Sequence, residues 1–469
     1  AQSMFGLVSG NYAGSNGIYL NPSSIANSKI RWDINLFSAN AFVFSNYFYL
    51  PKRQAGFFSI VSGDYTFPHY PKPFGVGERN IYVYYKDKTP KNVFSDVKII
   101  GPSSMFRYGD HTFAVHTAAR VMSSANNVPY DIANFSFFTM DYSPQHNKNF
   151  KRDNYSLTAM SWAELGFSYA TMVKRSFYHR WSAGVTVNLL FGNNGSYING
   201  GYTDYIVFND SIMTVNELNG EIGMALPLDY RTNELELTRN LLKGFGFGID
   251  LGMTYYFAEK GNRRPLKDGA YQKKYEPYTF KLAVAVLDLG FVTFNDQAQK
   301  HVLDKASREL INVQQMEWDN LATELRQISE LFYNDPDETL VADDFRVYLP
   351  TRLTVNADYK FKECFYLGGI FVAPLRFMNN QIRQPFTLAA IPRYETRYFE
   401  VSMPVSLYEW KFPRIGFSVR IHDLTIGTDR LGGFLTSQDF TGMDFYISYK
   451  INFNGHTSRW QRVRPCAFQ

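Results

Sequence analysis

Two adjacent acid and histidine pairs, Asp110-His111 and His422-Asp423, are the residues best placed by type to move a proton, and Cys364 and Cys466 are the two best suited to bond or attack. Neither pair makes a ready dyad, because both fall in stretches that read as strands, where successive side chains point to opposite faces. The chain has 8 histidines but no Gly-x-Ser-x-Gly nucleophile elbow. No Cys/His spacing suggests zinc. A hydrolase reading lacks its nucleophile, so the expectation is a non-enzyme with no cofactor and no metal. Asp250, Asp358, Lys360, Arg420 and Lys450 share a different property: each sits in the polar row of an alternating segment. They are expected to form a solvated network inside whatever those rows enclose.

The element that positions them shows best in GFGFGIDLGMTYYF, residues 244–257. Phe245, Phe247, Ile249, Leu251, Met253, Tyr255 and Phe257 alternate with small or polar residues, which makes a strand with two unlike faces. At about 3.4 Å per residue it would reach roughly 48 Å, far beyond the usual strand of about 5–6 residues. Such a strand suits a transmembrane barrel, whose apolar band is about 25 Å tall and whose strands tilt by about 40°. Phe245 to Met253 are expected to face lipid, and Gly246, Gly248 and Asp250 the lumen, the glycines leaving room for a plug. The same alternation recurs at 181–191, 353–361, 415–421 and 445–453.

Composition agrees. Of 469 residues 45% are hydrophobic and 17% aromatic, with 33 Tyr and 41 Phe, yet mean hydropathy is only -0.27. No run of about 18 apolar residues offers a spanning helix, whereas a barrel hides its hydrophobicity by alternation. The net charge of +5 is too diffuse for a nucleic-acid stripe and suits contact with anionic headgroups. The fold class expected is all-β: a transmembrane antiparallel barrel of about 14 strands, with an N-terminal hatch and one long helical loop insertion.

Turn lengths orient it, since outer-membrane barrels keep short turns on the periplasmic side. Short links at 174–180, 362–363 and 410–413 are assigned there, bringing Trp32, Trp181 and Trp410 to one interfacial rim. Links 193–243, 292–344, 374–395 and 426–441 are assigned outside; 259–276 is the exception, long yet periplasmic. Residues 296–333 carry Val302, Ala306, Leu310, Val313, Leu321, Leu325, Ile328 and Phe332 close to helical spacing. This helix is expected either to fold over its own barrel mouth or to dock another envelope protein.

Residues 11–36, NYAGSNGIYLNPSSIANSKIRWDINL, lead through small residues and the Asn21-Pro22 turn into the first strand. The stretch resembles the start of FadL-like outer-membrane barrels, including PorV-type barrels of Bacteroidota secretion, with Ser23 where those carry a small Ala. FKLAVAVLDLGFVTF (280–294) and FRVYLPTRLTVNADYKFKECFYLGGIFVAPL (345–375) resemble an uncharacterised Bacteroidota barrel family related to them. The resemblance implies a bacterial outer-membrane location and no established activity. The organisation expected is a hatch-like segment over 1–30, a barrel over 31–453 with a mostly helical insert at 295–344, and a periplasmic tail over 454–469. The chain opens with AQSMFGLVSG and reads as a mature protein whose leader has been removed. Asp210-Ser211-Ile212 resembles a Bacteroidota O-glycosylation motif. Cys364 and Cys466 are both expected on the periplasmic side, bonded only if the tail folds back. Two functions remain: a scaffold or accessory subunit of an outer-membrane secretion or assembly machine, favoured narrowly, or a FadL-like diffusion channel for a hydrophobic or small solute. The partners expected are outer-membrane lipid and lipopolysaccharide, with other outer-membrane or periplasmic proteins, and no nucleic acid.

Overall fold

The computed structural model describes residues 4–49, 83–85, 87–138, 140–228, 230, 232, 242–259, 277–311, 321–431 and 442–453. Fourteen antiparallel strands close into one barrel. In chain order they are β1 (Trp32–Ser45), β2 (Lys91–Ile100 and Ser103–Tyr108), β3 (His111–Val128), β4 (Lys148–Arg152 and Tyr155–Arg175) and β5 (His179–Val207). Next come β6 (Ile212–Ala225 and Gly244–Phe257), β7 (Phe280–Phe294 and Gln299–Ile311) and β8 (Leu340–Ala342, Phe345–Tyr348 and Arg352–Lys360). The ring continues with β9 (Phe365–Pro374), β10 (Thr387–Glu395), β11 (Phe399–Ser402 and Val405–Tyr408), β12 (Phe412–Ile415 and Phe417–Ile421), β13 (Leu424–Thr428) and β14 (Asp444–Phe453). The seam closes by pairing β14 with β1, from Trp32 opposite Phe453 to Phe42 opposite Asp444.

The wall is uneven. β5 runs for 29 residues and β13 for 5, so β3 to β8 rise far above the low arc from β9 to β14. The extra height is sheet: the upper half of β5 pairs with Ile212–Ala225 of β6, which pairs in turn with Gln299–Ile311 of β7.

On the opening strand Phe245, Phe247, Ile249, Leu251 and Met253 are all between 41 and 51% exposed, while Gly246 and Gly248 are buried on the other face. An outward row this apolar on a closed barrel is a lipid-facing surface, and it places the protein in a bacterial outer membrane. Ile249→Arg puts a charge near the middle of that row. We expect it to lower stability by about 2–4 kcal/mol in urea unfolding from lipid vesicles; an unchanged midpoint would mean that Ile249 does not face lipid.

Three expectations are corrected. Residues 387–395, assigned to an outer link, form β10, and its register with β9 and β11 shows the consequence. Phe365 lies opposite Tyr394, whereas Thr387 lies opposite Tyr408. The turn 396–398 is therefore periplasmic, and Trp410, in the next turn, sits at the outer rim, opposite Trp32 and Trp181. Second, the insert 295–344 is not mostly helical: Gln299–Ile311 is strand, and the described helix there is α3 (Leu321–Tyr333), which follows α1 (Phe5–Val8) and α2 (Tyr130–Phe138). The partner strand Ile212–Ala225 offers a row of unpaired backbone groups that 299–311 satisfies, and this pairing overrides a helical spacing. Third, the inner face is not polar throughout. Its lower half mixes charged groups with apolar ones such as Met105, Ile370 and Ile391 that pack on residues 4–30, and its upper half carries Phe42, Phe44, Phe94, Met122, Met160, Trp162, Leu190, Val292, Phe294 and Val347 in one buried cluster.

Candidate functional site: a plug gripped by the lower wall

Residues 4–30 lie inside the barrel as α1 (Phe5–Val8) and two 3-10 turns, Gly14–Tyr19 and Pro22–Asn27. Short turns suit this segment, because inside a bore each backbone polar group must find a partner close by. Much of that demand is met by the wall. Asn21 caps the second turn: its Oδ1 accepts from Ser23 N at 2.8 Å and Ser23 Oγ at 2.7 Å. Its Nδ2 donates outward to the backbone carbonyls of Met253 on β6 (3.3 Å) and Val284 on β7 (3.2 Å). Ser23 Oγ also meets Thr254 Oγ1 at 2.6 Å.

Here the bare face of the opening strand finds its use. A Cβ on Gly252 would stand 2.1 Å from Asn21 Oδ1, and one on Gly184 of β5 would stand 2.5 Å from Ser23 N. Asn21-Pro22 is thus more than a turn before a strand; it is the point where the plug presses on glycine-lined wall.

A second grip is ionic. Glu395 of β10, 1% exposed, accepts from Asn11 N at 3.0 Å and pairs with Lys29 at 2.7 Å and Arg393 at 2.9 Å. Arg393 also pairs with Asp358 of β8 at 2.7 Å, and Tyr278 donates to both Asp358 and Asn11. On the seam side Lys450 of β14 donates to the carbonyls of Tyr12 (2.6 Å) and Ala13 (2.7 Å), with Asp33 of β1 at 3.7 Å. Ser15 N donates to Asp33 at 2.9 Å. Gly14 adopts φ +57 there, and a Cβ would overlap the Asp33 carboxylate. Arg420 of β12 pairs with Glu400 at 3.2 Å and lies over the Tyr12 ring at 4.7 Å. At the tip Phe5 N donates to Asp429 at 3.0 Å and Gly6 N to Tyr446 Oη at 3.2 Å.

Above the plug a smaller ionic group separates it from the apolar layer. Arg120 of β3 pairs with Asp288 of β7 at 2.8 Å and Glu164 of β4 at 3.5 Å, and Arg352 of β8 also pairs with Asp288. Asp250 accepts from Asp288 N at 2.6 Å and Asn188 Nδ2 at 3.1 Å.

Asp250, Asp358, Arg420 and Lys450 are therefore on the inner wall, but three of the four grip the plug or its partners rather than line an open bore. Lys360 is half-buried at the lower end of β8, within electrostatic reach of Lys29 and Glu395. Asn11, Lys29, Asp33, Asp288, Arg393 and Glu395 were not singled out from sequence; Arg393 and Glu395, two residues apart on one strand face, are the pair whose spacing could have signalled them. Ser211 sits in the tip between β5 and β6, its hydroxyl donating to Asp210 at 3.0 Å; glycosylation there remains a proposal. Cys364 is buried in the periplasmic turn after β8, while Cys466 lies outside the described residues, so their pairing also remains a proposal. Among the described residues no group of three or more His, Cys, Asp or Glu is placed to hold a metal ion.

Two small cavities lie against the plug, one of about 30 Å³ between plug and β6 to β8 and one of about 10 Å³ beside Arg120 and Asp288. Neither exceeds room for one or two waters. Closed barrel, apolar outer face and inserted N-terminal plug together define an outer-membrane barrel of the plugged type. Residues 22–429 match a family of unknown function, DUF5723, and the chain belongs to that family. No curated protein matches. Among solved structures, a mutant of the monoaromatic hydrocarbon channel TodX is 12% identical with a TM-score of 0.40, over 94% of this chain and 95% of that one. The Ralstonia pickettii toluene transporter TbuX is 10% identical with a TM-score of 0.38, over 94% and 95%. A Pseudomonas aeruginosa FadL homologue is 9% identical with a TM-score of 0.24, over 92% and 93%. These likenesses are loose, and no function is taken from them.

Proposed function

We propose that this barrel is a gated conduit carrying a hydrophobic solute across the outer membrane, with the N-terminal plug as its gate. The observation behind this reading is the apolar upper bore. Phe42, Phe44, Phe94, Met122, Met160, Trp162 and Leu190 come from β1 to β5, and Val292, Phe294 and Val347 from β7 and β8, all buried and facing inward. A polar solute gains nothing from such a lining, whereas an apolar one exchanges water for it favourably. Met and aromatic side chains can rearrange to admit a guest.

The helix that could have docked another envelope protein does not favour the scaffold reading. α3, offered as a docking helix, packs on its own wall: Leu325 and Ser329 are buried, Arg308 of β7 donates to the Leu331 carbonyl, and Tyr333 Oη bonds both the N–H and the carbonyl of Asp304.

The test is uptake of an apolar dye, 1-N-phenylnaphthylamine, by cells whose outer membrane retains lipopolysaccharide and therefore admits it slowly. Expressing the barrel should raise the uptake rate several-fold, and Leu190→Asp should remove most of that gain while leaving the amount of folded barrel unchanged. Uptake equal to that of cells without the barrel would overturn the conduit reading.

A further inference from the structure

Two ascending strands begin with the same local pattern, His111-Thr112-Phe113 on β3 and His179-Arg180-Trp181 on β5. In both, the histidine and the aromatic residue point outward, and all four are exposed. The descending neighbour supplies a tyrosine each time: Tyr169 lies opposite Phe113, and Tyr255 opposite Trp181. The geometries coincide. His111 Nδ1 is 2.7 Å from Tyr169 Oη, with the rings stacked at 5.9 Å and 19°. His179 Nδ1 is 2.6 Å from Tyr255 Oη, with the rings at 5.9 Å and 18°. Phe113 adds a ring 5.3 Å from Tyr169, and Trp181 one 4.9 Å from Tyr255.

Both modules stand on the periplasmic rim, two strands apart and offset along the strand, since His111 lies opposite Thr171 and Thr171 opposite Ala183, four residues from His179; the separation is about 16 Å. Beside the second module is Lys174 of β4, exposed and in register with the outward-facing Trp181. With the tyrosine hydroxyl donating to Nδ1, the neutral imidazole carries its proton on Nε2. Each module thus presents an N–H donor at the rim with aromatic rings beside it, and Lys174 adds a positive charge at the second.

We propose that each module binds the phosphate of a glycerophospholipid in the periplasmic leaflet. The His Nε2–H holds a phosphodiester oxygen, with Lys174 adding its charge at the His179 module, and the flanking rings lie along the glycerol and the first methylenes. Its continuity with the membrane surface selects a lipid over a soluble partner. Above the modules the same outward rows continue as Val115, Phe167, Val187 and Met253, all exposed. A headgroup held at the rim would lay its acyl chains along those residues. This site is independent of whatever passes through the bore.

The test uses the full chain in dodecyl maltoside and three probes: dihexanoyl-phosphatidylglycerol, dihexanoylglycerol and inorganic phosphate. The phospholipid should bind at least tenfold more tightly than either of the others. His111→Phe with His179→Phe should reduce that advantage to about twofold, and Lys174→Met should weaken it partly. On the unaltered protein, the phospholipid alone should shift the histidine Nε2 resonances, a readout that does not depend on the variants folding. Equal binding of dihexanoylglycerol would show a greasy belt only, equal binding of inorganic phosphate an unspecific anion site, and retention of the full advantage in the double variant a site elsewhere; each overturns the proposal.

Discussion

A barrel carrying Asp288→Ala will unfold from lipid vesicles at a much lower urea concentration than the parent, with a loss of about 3–5 kcal/mol. Asp288 is 5% exposed and is the shared acceptor for Arg120 and Arg352. Removing it strands two buried guanidinium groups, leaving Arg120 with the more distant Glu164 carboxylate at 3.5 Å. The cost is that of an uncompensated charge more than that of one lost bond. Asp250→Ala should cost less, because Asp250 accepts from a backbone N–H and an Asn amide, both neutral. Replacing Arg120, Asp288 and Arg352 together by Met, Leu and Met should recover part of the loss, since both guanidinium groups leave with their shared acceptor while Glu164 loses its Arg120 contact. If the single alanine variant unfolds within about 1 kcal/mol of the parent, the cluster is hydrated in the folded state and the argument fails.

The second large effect concerns the gate. Gly252→Ala should displace the plug, because the new methyl would stand 2.1 Å from Asn21 Oδ1 and 3.0 Å from the Pro22 ring. Overpacking of this kind costs about 1–3 kcal/mol, and here the lighter partner is the plug. Limited proteolysis should then cut within residues 4–30 at least tenfold faster, with the barrel still resistant. Gly368→Ala is the matched control: it also faces inward, but its new methyl would meet Arg393, Asp358 and Ile391 at 3.6 Å, ordinary contact. Equal protection in the two variants would show that the plug does not rest on the glycine row.

Most of the barrel was legible because its outward rows repeat with period two over ten or more residues, as at Phe245 to Phe257. Where that repeat is short or broken, the reading failed. Thr387–Glu395 is nine residues with Pro392 inside and charges on its inner face, so it resembled a loop, and missing one strand reversed the side of the next turn and moved Trp410 to the wrong rim. Gln299–Ile311 alternates poorly because it stands above the membrane with charged residues on its surface; only its pairing with β6 makes it a strand. The plug turn at Asn21-Pro22 was visible as a local feature, but its partners Met253 and Val284 lie 232 and 263 residues away, beyond the reach of any local pattern. The apolar upper bore was hidden for a related reason: Phe42, Met122 and Phe294 occupy positions that a simple inside-polar rule assigns to water.

The plug's contacts at the seam bear on the order of assembly. Joining β1 to β14 closes a loop of more than 400 residues, a pairing with a high entropic cost and slow kinetics when nothing brings the edges together. The plug holds both edges: Ser15 and Asn16 bond Asp33, Asn35 and Ser38 on β1, while Lys450, Ser448 and Tyr446 on β14 reach Tyr12, Asn16 and Gly6. Preceding β1 in the chain, it is present when β1 forms and is ready to receive β14 as that strand arrives. It acts as a template about which the open sheet curls, so that the segment that later shuts the bore first chooses which two strands meet. A chain deprived of it would face a sheet with two free edges, prone to zip onto a neighbouring chain instead of onto itself.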